Sequence, residues 1–126
     1  MAIIRDQVAL VGQSEEVLQT INAGATYDGP EVDLLGSNGA VGDLHLYIVT
    51  QGNAEGSVDV QLNQRRVPGQ PYKDPSTILN VPVGTTKQLF KRGHYSIDRW
   101  GQVTVVNNDA SNSVQVAVLA TVERYS

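Results

Sequence analysis

The sequence predicts an all-β fold, a single-domain β-sandwich or jelly roll of about eight strands. Apolar and polar residues alternate with a period of two in several segments, most clearly over residues 57–64 and 114–122. Glycine, proline, asparagine and aspartate residues, which favour turns, separate these segments roughly every 8–15 residues. A chain of 126 residues also fits one domain and buries about two thirds of its unfolded surface on folding.

The first half of the chain contains short strands followed by two longer ones. Gly52 and Gly56 are expected to close the first long strand into a hairpin with the second. Residues 14–22 are ambiguous, because Ser14 is a suitable helix cap, but a strand is favoured by the sheet-like chain that follows. The predicted strands of this half are residues 16–21, 25–27, 32–35, 43–50 and 57–64.

The second half contains the most regular strands. A β-branched run follows a bend at residues 99–101, which indicates two strands joined by a short turn. Residues 109–113 are expected to form the polar loop of another hairpin. Both faces of the last strand carry apolar side chains, so it is predicted to lie centrally or to meet a partner. The predicted strands of this half are residues 78–81, 87–90, 95–97, 102–107 and 114–122.

Two stretches do not fit a compact sandwich. Residues 1–12 place several apolar side chains on one helical face and precede the sheet, so they are separated as an N-terminal arm from a β-sandwich domain over residues 13–126. The arm is expected either to dock on another subunit or to pack on its own domain as a strand or short helix. Residues 67–75 contain three prolines and are expected to form an exposed loop.

Charge is unevenly distributed along the chain. Residues 1–60 carry a net charge of −8 and residues 61–126 a net charge of +4. Either the protein has one acidic and one basic surface, or strands from the two halves interleave and the charges cancel locally. The pI of 4.9 argues against nucleic acid as a partner. Polar residues interrupt every apolar stretch, which argues against a membrane span, and the first twelve residues lack a signal-peptide pattern.

No catalytic residue, cofactor or metal site is predicted, and enzymatic activity is not expected. The chain has no cysteine, and its two histidines are His45, in a predicted strand, and His94, in a predicted solvent-facing turn. Two histidines without a carboxylate at fixed spacing do not make a conventional zinc site. Residues 28–33 contain three carboxylates, which are ligands that calcium takes, but they lack the spacing of a calcium-binding loop.

The exposed aromatic residues suggest a second kind of function. Trp100 lies at a predicted turn beside Arg99, and Tyr72 lies in the proline-containing loop. Aromatic faces combined with polar side chains are typical of sugar-binding sites, so these three residues are candidates for contact with a glycan. The alternative interpretation is that Trp100 plugs one end of the sandwich.

Three parts of the chain combine into a recognisable pattern. Residues 25–34 form a strand, turn and strand; residues 42–50 pair with 56–62; and residues 103–108 lead through a polar loop to 114–118. This pattern resembles the small β-sandwich structural proteins of tailed bacteriophage virions, especially capsid decoration (cement) proteins. Carbohydrate-binding jelly rolls have similar patterns.

The resemblance implies a non-enzymatic protein that stabilises a capsid by binding the major capsid protein at capsomer junctions and assembles with itself as a homotrimer. It implies a place on the capsid surface of the virion, and in the host cytoplasm during assembly. The alternative is a carbohydrate- or receptor-binding module of a phage tail or fibre. The predicted interface residues are apolar residues of the arm and basic and aromatic residues of the second half: Ile3, Ile4, Val8, Leu10, Arg65, Arg66, Tyr72, Arg99 and Trp100.

Overall fold

Antiparallel strands make up most of the molecule. The computed structural model describes residues 3–36, 41–72 and 78–125, and within these ranges it contains ten strands and no helix. Accordingly, none of these residues belongs to a helix long and apolar enough to span a bilayer. The strands are β1 (Ile3–Val11), β2 (Gln19–Ile21), β3 (Thr26–Asp28), β4 (Val32–Asp33), β5 (Val41–Gln51), β6 (Ser57–Arg65), β7 (Ile78–Pro82), β8 (Gln88–Ser96), β9 (Trp100–Asn107) and β10 (Val114–Tyr125).

The strands form two sheets of five. Sheet A has the order β1-β10-β5-β8, with β2 also paired to β10, and sheet B has the order β3-β9-β6-β7, with β4 also paired to β9. Since β5 occupies one side of β10 along its length, β1 and β2 share the other side, and β3 and β4 share one side of β9 in the same way. Each sheet therefore has four strand positions, and the chain order through these eight positions is that of a jelly roll. The predicted single-domain β-sandwich is confirmed.

The predicted hairpins are wrong, because the strands that they join lie in different sheets. β5 pairs with β10 and β8 in sheet A, whereas β6 pairs with β7 and β9 in sheet B. The loop at residues 109–113 likewise connects β9 in sheet B to β10 in sheet A. Alternation of apolar residues predicts which face of a strand is buried, but it does not identify the neighbouring strand.

The core fills the space between the two sheets. Along β9, Val103 and Val105 are fully buried and point inward, and they alternate with half-buried Gln102, Thr104 and Val106. β6 contributes Val58 and Val60 in the same way. Burial of each such side chain contributes about 1.5–3 kcal/mol before conformational entropy is subtracted. The large side chains that sheet A adds to this core are Leu10, Val11, Leu44, Leu46, Ile48 and Val116.

β10 lies centrally in sheet A, as its two apolar faces predict. Its inner face belongs to the core, and on its outer face Ala117 and Leu119 are also buried. The segment between β1 and β2 crosses this outer face. Gly12, with φ of 70°, ends β1 close to Ala117, and Lys87 donates a hydrogen bond to the carbonyl of Glu15 at 3.0 Å. Of the predicted strand at residues 16–21, only the last three residues are paired.

Residues 3–11 of the predicted arm form the edge strand β1. This strand pairs with β10 of the same chain, from Ile3 opposite Tyr125 to Val11 opposite Val118. Its inward residues near the end of the strand, Leu10 above all, belong to the core. The alternative in which the segment packs on its own domain as a strand is therefore what the structure contains. A contact of its outer side with another copy stays a prediction.

Strand directions define two ends of the sandwich. The connections after β2, β5, β7 and β9 meet at one end, called here the loop end, which comprises residues 22–25, 52–56, 83–87 and 108–113. At the opposite end, called here the base, Ile3 lies opposite Tyr125 and Arg65 opposite Trp100. The loop predicted at residues 67–75 also begins at the base, where residues 66–70 are exposed. Its residues 73–75 lie outside the described ranges.

Candidate interaction surfaces

A charged cluster at the base joins Glu31, Arg65 and Tyr72. The Arg65 guanidinium donates two hydrogen bonds to the Glu31 carboxylate, at 2.7 and 2.9 Å, and the Tyr72 hydroxyl donates a third at 2.8 Å. The guanidinium also lies over the Tyr72 ring, 4.7 Å from its centroid, and donates to the carbonyl of Gln70. Two-point pairing of arginine with a carboxylate fixes both side chains in one geometry.

These contacts shift the ionisation of the cluster. The hydrogen bonds from Arg65 lower the pKa of Glu31 below its ordinary value of 4.5, and the Tyr72 hydroxyl acts in the same direction. Burial raises the pKa of Tyr72, and the neighbouring Glu31 carboxylate raises it further. Near neutral pH, Glu31 is therefore an anion and Tyr72 a neutral donor, which is the combination that the three hydrogen bonds require.

Two further ion pairs extend the cluster across the base. Arg99 donates to Asp33 at 3.0 Å, and the carboxylate of Asp33 also accepts hydrogen bonds from two backbone amides of the following turn. Arg66 lies 3.9 Å from Asp98, with 70% of its side chain exposed. Trp100 begins β9 between its register partners on β4 and β6. The predicted residues Arg65, Arg66, Tyr72, Arg99 and Trp100 thus come together at the base of sheet B.

The predicted residues of β1 lie in sheet A and differ in accessibility. Ile3 is 54% exposed, whereas Leu10 has no exposed surface. Ile4 and Val8 are half-buried, and Val8 packs against the core. Ile3 and Ile4 lie near the base, whereas Leu10 cannot touch a partner while the domain stays folded. Apolar residues in a strand are usually buried, but in an edge strand such as β1 some of them lie in the core and others at the surface.

The opposite charges of the two halves meet within one chain. Acidic residues of the first half pair with basic residues of the second in Glu31–Arg65, Asp33–Arg99, Asp6–Arg124 and Glu16–Lys87. The strands of the two halves interleave, so the charges cancel locally. The same pairs separate the carboxylates considered for calcium, because Glu31 and Asp33 bind different arginines and Asp28 accepts a hydrogen bond from Thr104.

The two histidines stack on the outer face of sheet A. His45 of β5 lies opposite His94 of β8, with ring centroids 4.5 Å apart and ring planes within 8°. His94 lies in a strand rather than in the predicted turn, next to a bulge at Gly93, whose φ is 71°. His45 has the cross-strand position that its sequence context suggests. In the described ranges, no three histidine, cysteine, aspartate or glutamate side chains form a group that could hold a metal ion.

The loop end is a second surface, built from four connections that hydrogen-bond to each other. The amide of Gly52 donates to the carbonyl of Gly84, that of Val83 donates to Gly56, and that of Gly24 donates to Asp109. The first two bonds join the loop of residues 52–56 to that of residues 83–87, and the third joins the loop of residues 22–25 to that of residues 108–113. The amide of Asn108 links the two pairs by donating to the carbonyl of Ser57, at the start of β6.

Asn107, the last residue of β9, stabilises the loop end through hydrogen bonds from its side chain. Its side chain is buried, and its amide nitrogen lies 2.9–3.3 Å from the carbonyl oxygens of Ile21, Asn22 and Asn112. Above it, hydrogen bonds from the backbone of Ser111 and from the side chain and backbone of Asn112 lower the pKa of Asp109. Sequence reasoning treated this segment as an ordinary polar loop. The one available signal was its density of asparagine, aspartate and serine, which favour side chain to backbone bonds.

Two adjoining depressions lie between the loops of residues 52–56 and 108–113. Their volumes are about 740 and 370 Å³. Asn53, Glu55 and Asn112 line both of them, so they form one groove, called here the loop-end groove. The groove is open to solvent, and its other lining side chains include hydroxyl groups, amides and one further carboxylate.

Comparisons with known sequences identify no family. No family model matches the chain, and no curated protein matches it.

Solved structures share its fold at low sequence identity. A structure of infectious bursal disease virus, Gx strain, has a TM-score of 0.58 and 8% identity, over 99% of this chain and 32% of that chain. A structure of Bacillus endospore appendages, described as a novel family of disulfide-linked pili, has a TM-score of 0.50 and 14% identity, over 98% of this chain and 89% of that chain. The carbohydrate-binding module BiXyn10A CBM1 in its apo form has a TM-score of 0.50 and 11% identity, over 99% of this chain and 97% of that chain.

These likenesses concern the β-sandwich fold. The chain spans about a third of the virus protein that it matches and nearly the whole of the carbohydrate-binding module. It has no cysteine, so the disulfide linkage named for the pili is not available to it. The same fold therefore occurs in a viral protein, a surface appendage and a sugar-binding module, and the function has to be argued from the surfaces of this chain.

Proposed function

We propose that this chain is a non-enzymatic virion structural protein, which decorates and stabilises a bacteriophage capsid by binding the major capsid protein at capsomer junctions. The observation that carries the proposal is the base. Basic and aromatic side chains converge there, and at the same end of sheet A the edge strand leaves Ile3 exposed. The proposal places the protein on the capsid surface of the virion, after synthesis in the host cytoplasm.

The physical properties of the base suit a docking surface. Its ion pairs fix Arg65, Arg99 and Tyr72 before any partner arrives, so little side-chain entropy is lost on binding. Arg66 remains exposed and supplies a positive charge for an acidic partner surface. Trp and Tyr side chains beside arginine are typical of the residues that contribute most to binding energy at protein interfaces.

Shell binding tests this proposal. Capsid shells of the phage that encodes this chain, assembled without it, are incubated with the protein and sedimented. We expect the wild-type chain to sediment with the shells, and Arg66→Glu or Trp100→Ala at the base to weaken that binding at least tenfold. Thr85→Glu, an exposed position at the loop end, is the matched control and should bind normally. Equal binding by all variants would overturn the assignment of the base.

Self-association is a separate part of the proposal. Light scattering on the purified chain is expected to give a homotrimer, three times the 13.6 kDa of one chain. Ile3→Asp, at an exposed position of β1, should shift the mass towards one chain without unfolding it, because the side chain already contacts water. A wild-type mass of one chain at high concentration would contradict the trimer.

A second candidate function is a carbohydrate- or receptor-binding module of a phage tail or fibre. The loop-end groove favours it, because hydroxyl, amide and carboxylate groups meet there on a fixed backbone. Binding to immobilised glycans by a chain that does not sediment with shells would select this candidate over the first.

A further inference from the structure

We propose that the loop-end groove binds a neutral saccharide. The inference rests on the second candidate function, and it assigns that function a site different from the one that the aromatic residues suggest. Four observations support it. The first two are the size of the groove and the chemistry of its lining, the third is the set of hydrogen bonds that hold its loops in place, and the fourth is that the polar side chains at the base are already paired with each other.

The size of the groove suits one or two sugar rings. Its two parts, of about 740 and 370 Å³, are open surface depressions with room for a ligand of that size. They adjoin at Asn53, Glu55 and Asn112, so a linear ligand can lie across both. Because the groove is open to solvent, an internal segment of a longer glycan fits as well as a chain end.

The lining selects the chemical class by exclusion. Among the described residues that line the two parts, none is basic, so they offer no cation to a phosphate or a carboxylate. Glu55 and Asp109 instead make the groove repel anions. The described lining also contains no aromatic residue, so it offers a planar apolar ligand no ring to stack on. The hydroxyl, amide and carboxylate groups of the lining suit a ligand rich in neutral hydroxyl groups, which donate to carboxylates and accept from side-chain amides.

The walls of the groove are fixed in the free protein. The loop of residues 52–56 is held by backbone bonds from Gly52 to Gly84 and from Val83 to Gly56. The opposite loop is held by Asn107 and by the bonds that Asp109 accepts from its own segment. A ligand therefore has to order little of the protein when it binds.

The aromatic residues at the base are poorly suited to the same role. The Tyr72 hydroxyl is used in its bond to Glu31, and one face of its ring is covered by Arg65. Arg99 is paired with Asp33. A sugar at this place would have to displace pairs of opposite charge. In the loop-end groove, Asp109 and the amides of Asn108 and Asn112 are bonded to neighbours within the loops and β6, and the side chain of Glu55 is exposed.

A groove without an aromatic platform binds weakly. We expect a dissociation constant for a monosaccharide that is roughly millimolar, since a ligand of this size gains only a modest free energy from hydrogen bonds exposed to water. Copies of the chain on one particle would raise the effective affinity for a surface that displays many glycans.

Amide shifts of the ¹⁵N-labelled chain test the inference. The probes are glucose, galactose, mannose and N-acetylglucosamine, with N-acetylneuraminic acid as the anionic probe. We expect at least one neutral sugar to shift the amides of Asn53, Asn112 and Ser113 at millimolar concentration, and the anionic sugar to bind more weakly. Absence of shifts with all four neutral sugars, or tighter binding of the anionic one, would overturn the inference.

Two variants locate the site. Glu55→Ala removes an exposed carboxylate that lines both parts of the groove, so it should reduce sugar binding at least tenfold without disturbing the core. Trp100→Ala at the base is the matched control and should leave sugar binding unchanged. If Trp100→Ala abolished the shifts and Glu55→Ala kept them, the site would lie at the base.

Shell binding through the base and sugar binding in the loop-end groove can be refuted independently of each other. Arg66→Glu is expected to reduce sedimentation with shells and to leave the sugar-induced shifts intact, because Arg66 lies at the opposite end of the molecule from the groove. Loss of sugar binding with retained shell binding would refute the groove alone.

Discussion

Asn107 and Glu31 each connect parts of the chain that lie far apart in the sequence. Asn107 is a buried amide whose nitrogen lies close to the carbonyl oxygens of Ile21 and Asn22, at the end of β2, and of Asn112 in the loop that follows β9. Glu31 receives three charged or polar donors from Arg65 and Tyr72. Asn107 is buried and Glu31 is half-buried, and removal of a partner from such groups lowers stability, so both residues give sharp tests.

Asn107→Ala is expected to lower the free energy of unfolding by about 1–3 kcal/mol, because it removes a buried amide that donates to the carbonyls of Ile21, Asn22 and Asn112. The measurement is urea unfolding followed by circular dichroism. Its neighbour Asn108 is exposed and donates only to Ser57, so Asn108→Ala should change stability by less than about 0.5 kcal/mol. Equal effects of the two variants would contradict the assigned role of Asn107.

Glu31→Gln is expected to flatten the acid side of the stability profile against pH. The folded pKa of Glu31 is lowered from 4.5, so its ionised form stabilises the fold fully above the unfolded pKa. That stabilisation is lost as the pH falls through the folded pKa. Unfolding curves between neutral and acid pH measure the difference between wild type and variant, which should shrink as the pH falls below 4.5.

A double-mutant cycle controls for effects outside the pair. In an Arg65→Met background, Glu31→Gln should have little further effect on the acid side, because the main cause of the lowered pKa is gone. If the profiles of wild type and Glu31→Gln coincide throughout, the pair does not contribute to acid stability.

Among the elements, β1 both contributes to the core and forms the edge of sheet A, and its sequence does not show which residues do which. Its inner residues complete the core, and its outer edge lacks a partner strand within the described chain. Arg5 pairs with Glu123 and Asp6 with Arg124, so the charges that commonly protect an edge strand are neutralised by β10. Removal of residues 1–12 would therefore damage the fold as well as any interface.

Leu10→Ala is expected to cost about 2–5 kcal/mol of stability, because it leaves a cavity in a fully buried site. Ile3→Ala in the same strand should cost less than about 0.5 kcal/mol, since the side chain is largely exposed. Thermal unfolding of both variants measures the contrast. A large loss for Ile3→Ala in the isolated chain would indicate that β1 is buried in an assembly.

The positions of the strands were predicted from the sequence far better than the pairing between strands. Alternating apolar residues located β6, β9 and β10, because each of these strands has one face on the core. Pairing was predicted from proximity in the chain, which fails where consecutive strands alternate between sheets. The cluster of Glu31, Arg65 and Tyr72 was beyond such reasoning, since its members are separated by 34 and 41 residues in sequence and meet only in the folded chain.

The molecule as a whole is assembled from interleaved halves. In the order β1-β10-β5-β8, strands of the acidic first half alternate with strands of the basic second half. In the order β3-β9-β6-β7, β9 lies between β3 of the first half and β6, which spans the boundary between the halves. This alternation pairs opposite charges across the molecule and leaves few contacts between neighbours in sequence. The closing pair is β1 with β10, which joins the two ends of the described chain.

Such a topology should fold slowly for its size. We expect refolding relaxation in the range of milliseconds to seconds, because most strand pairs close long loops before they gain contacts. Stopped-flow fluorescence of Trp100, the one tryptophan of the chain, provides the measurement. A prolyl isomerase distinguishes any slower phase that arises from the five prolines. Complete refolding within microseconds would be inconsistent with this strand order.

The pairing of Ile3 with Tyr125 gives the molecule a direction. Polypeptide fused before the one residue or after the other leaves from the base, and the loop end points the opposite way along β10, whose 12 residues span roughly 40 Å. If the domain is attached to a surface through either of these residues, the base faces that surface and the loop-end groove points away from it. Many copies attached in this way would present their loops to the solvent in one common orientation.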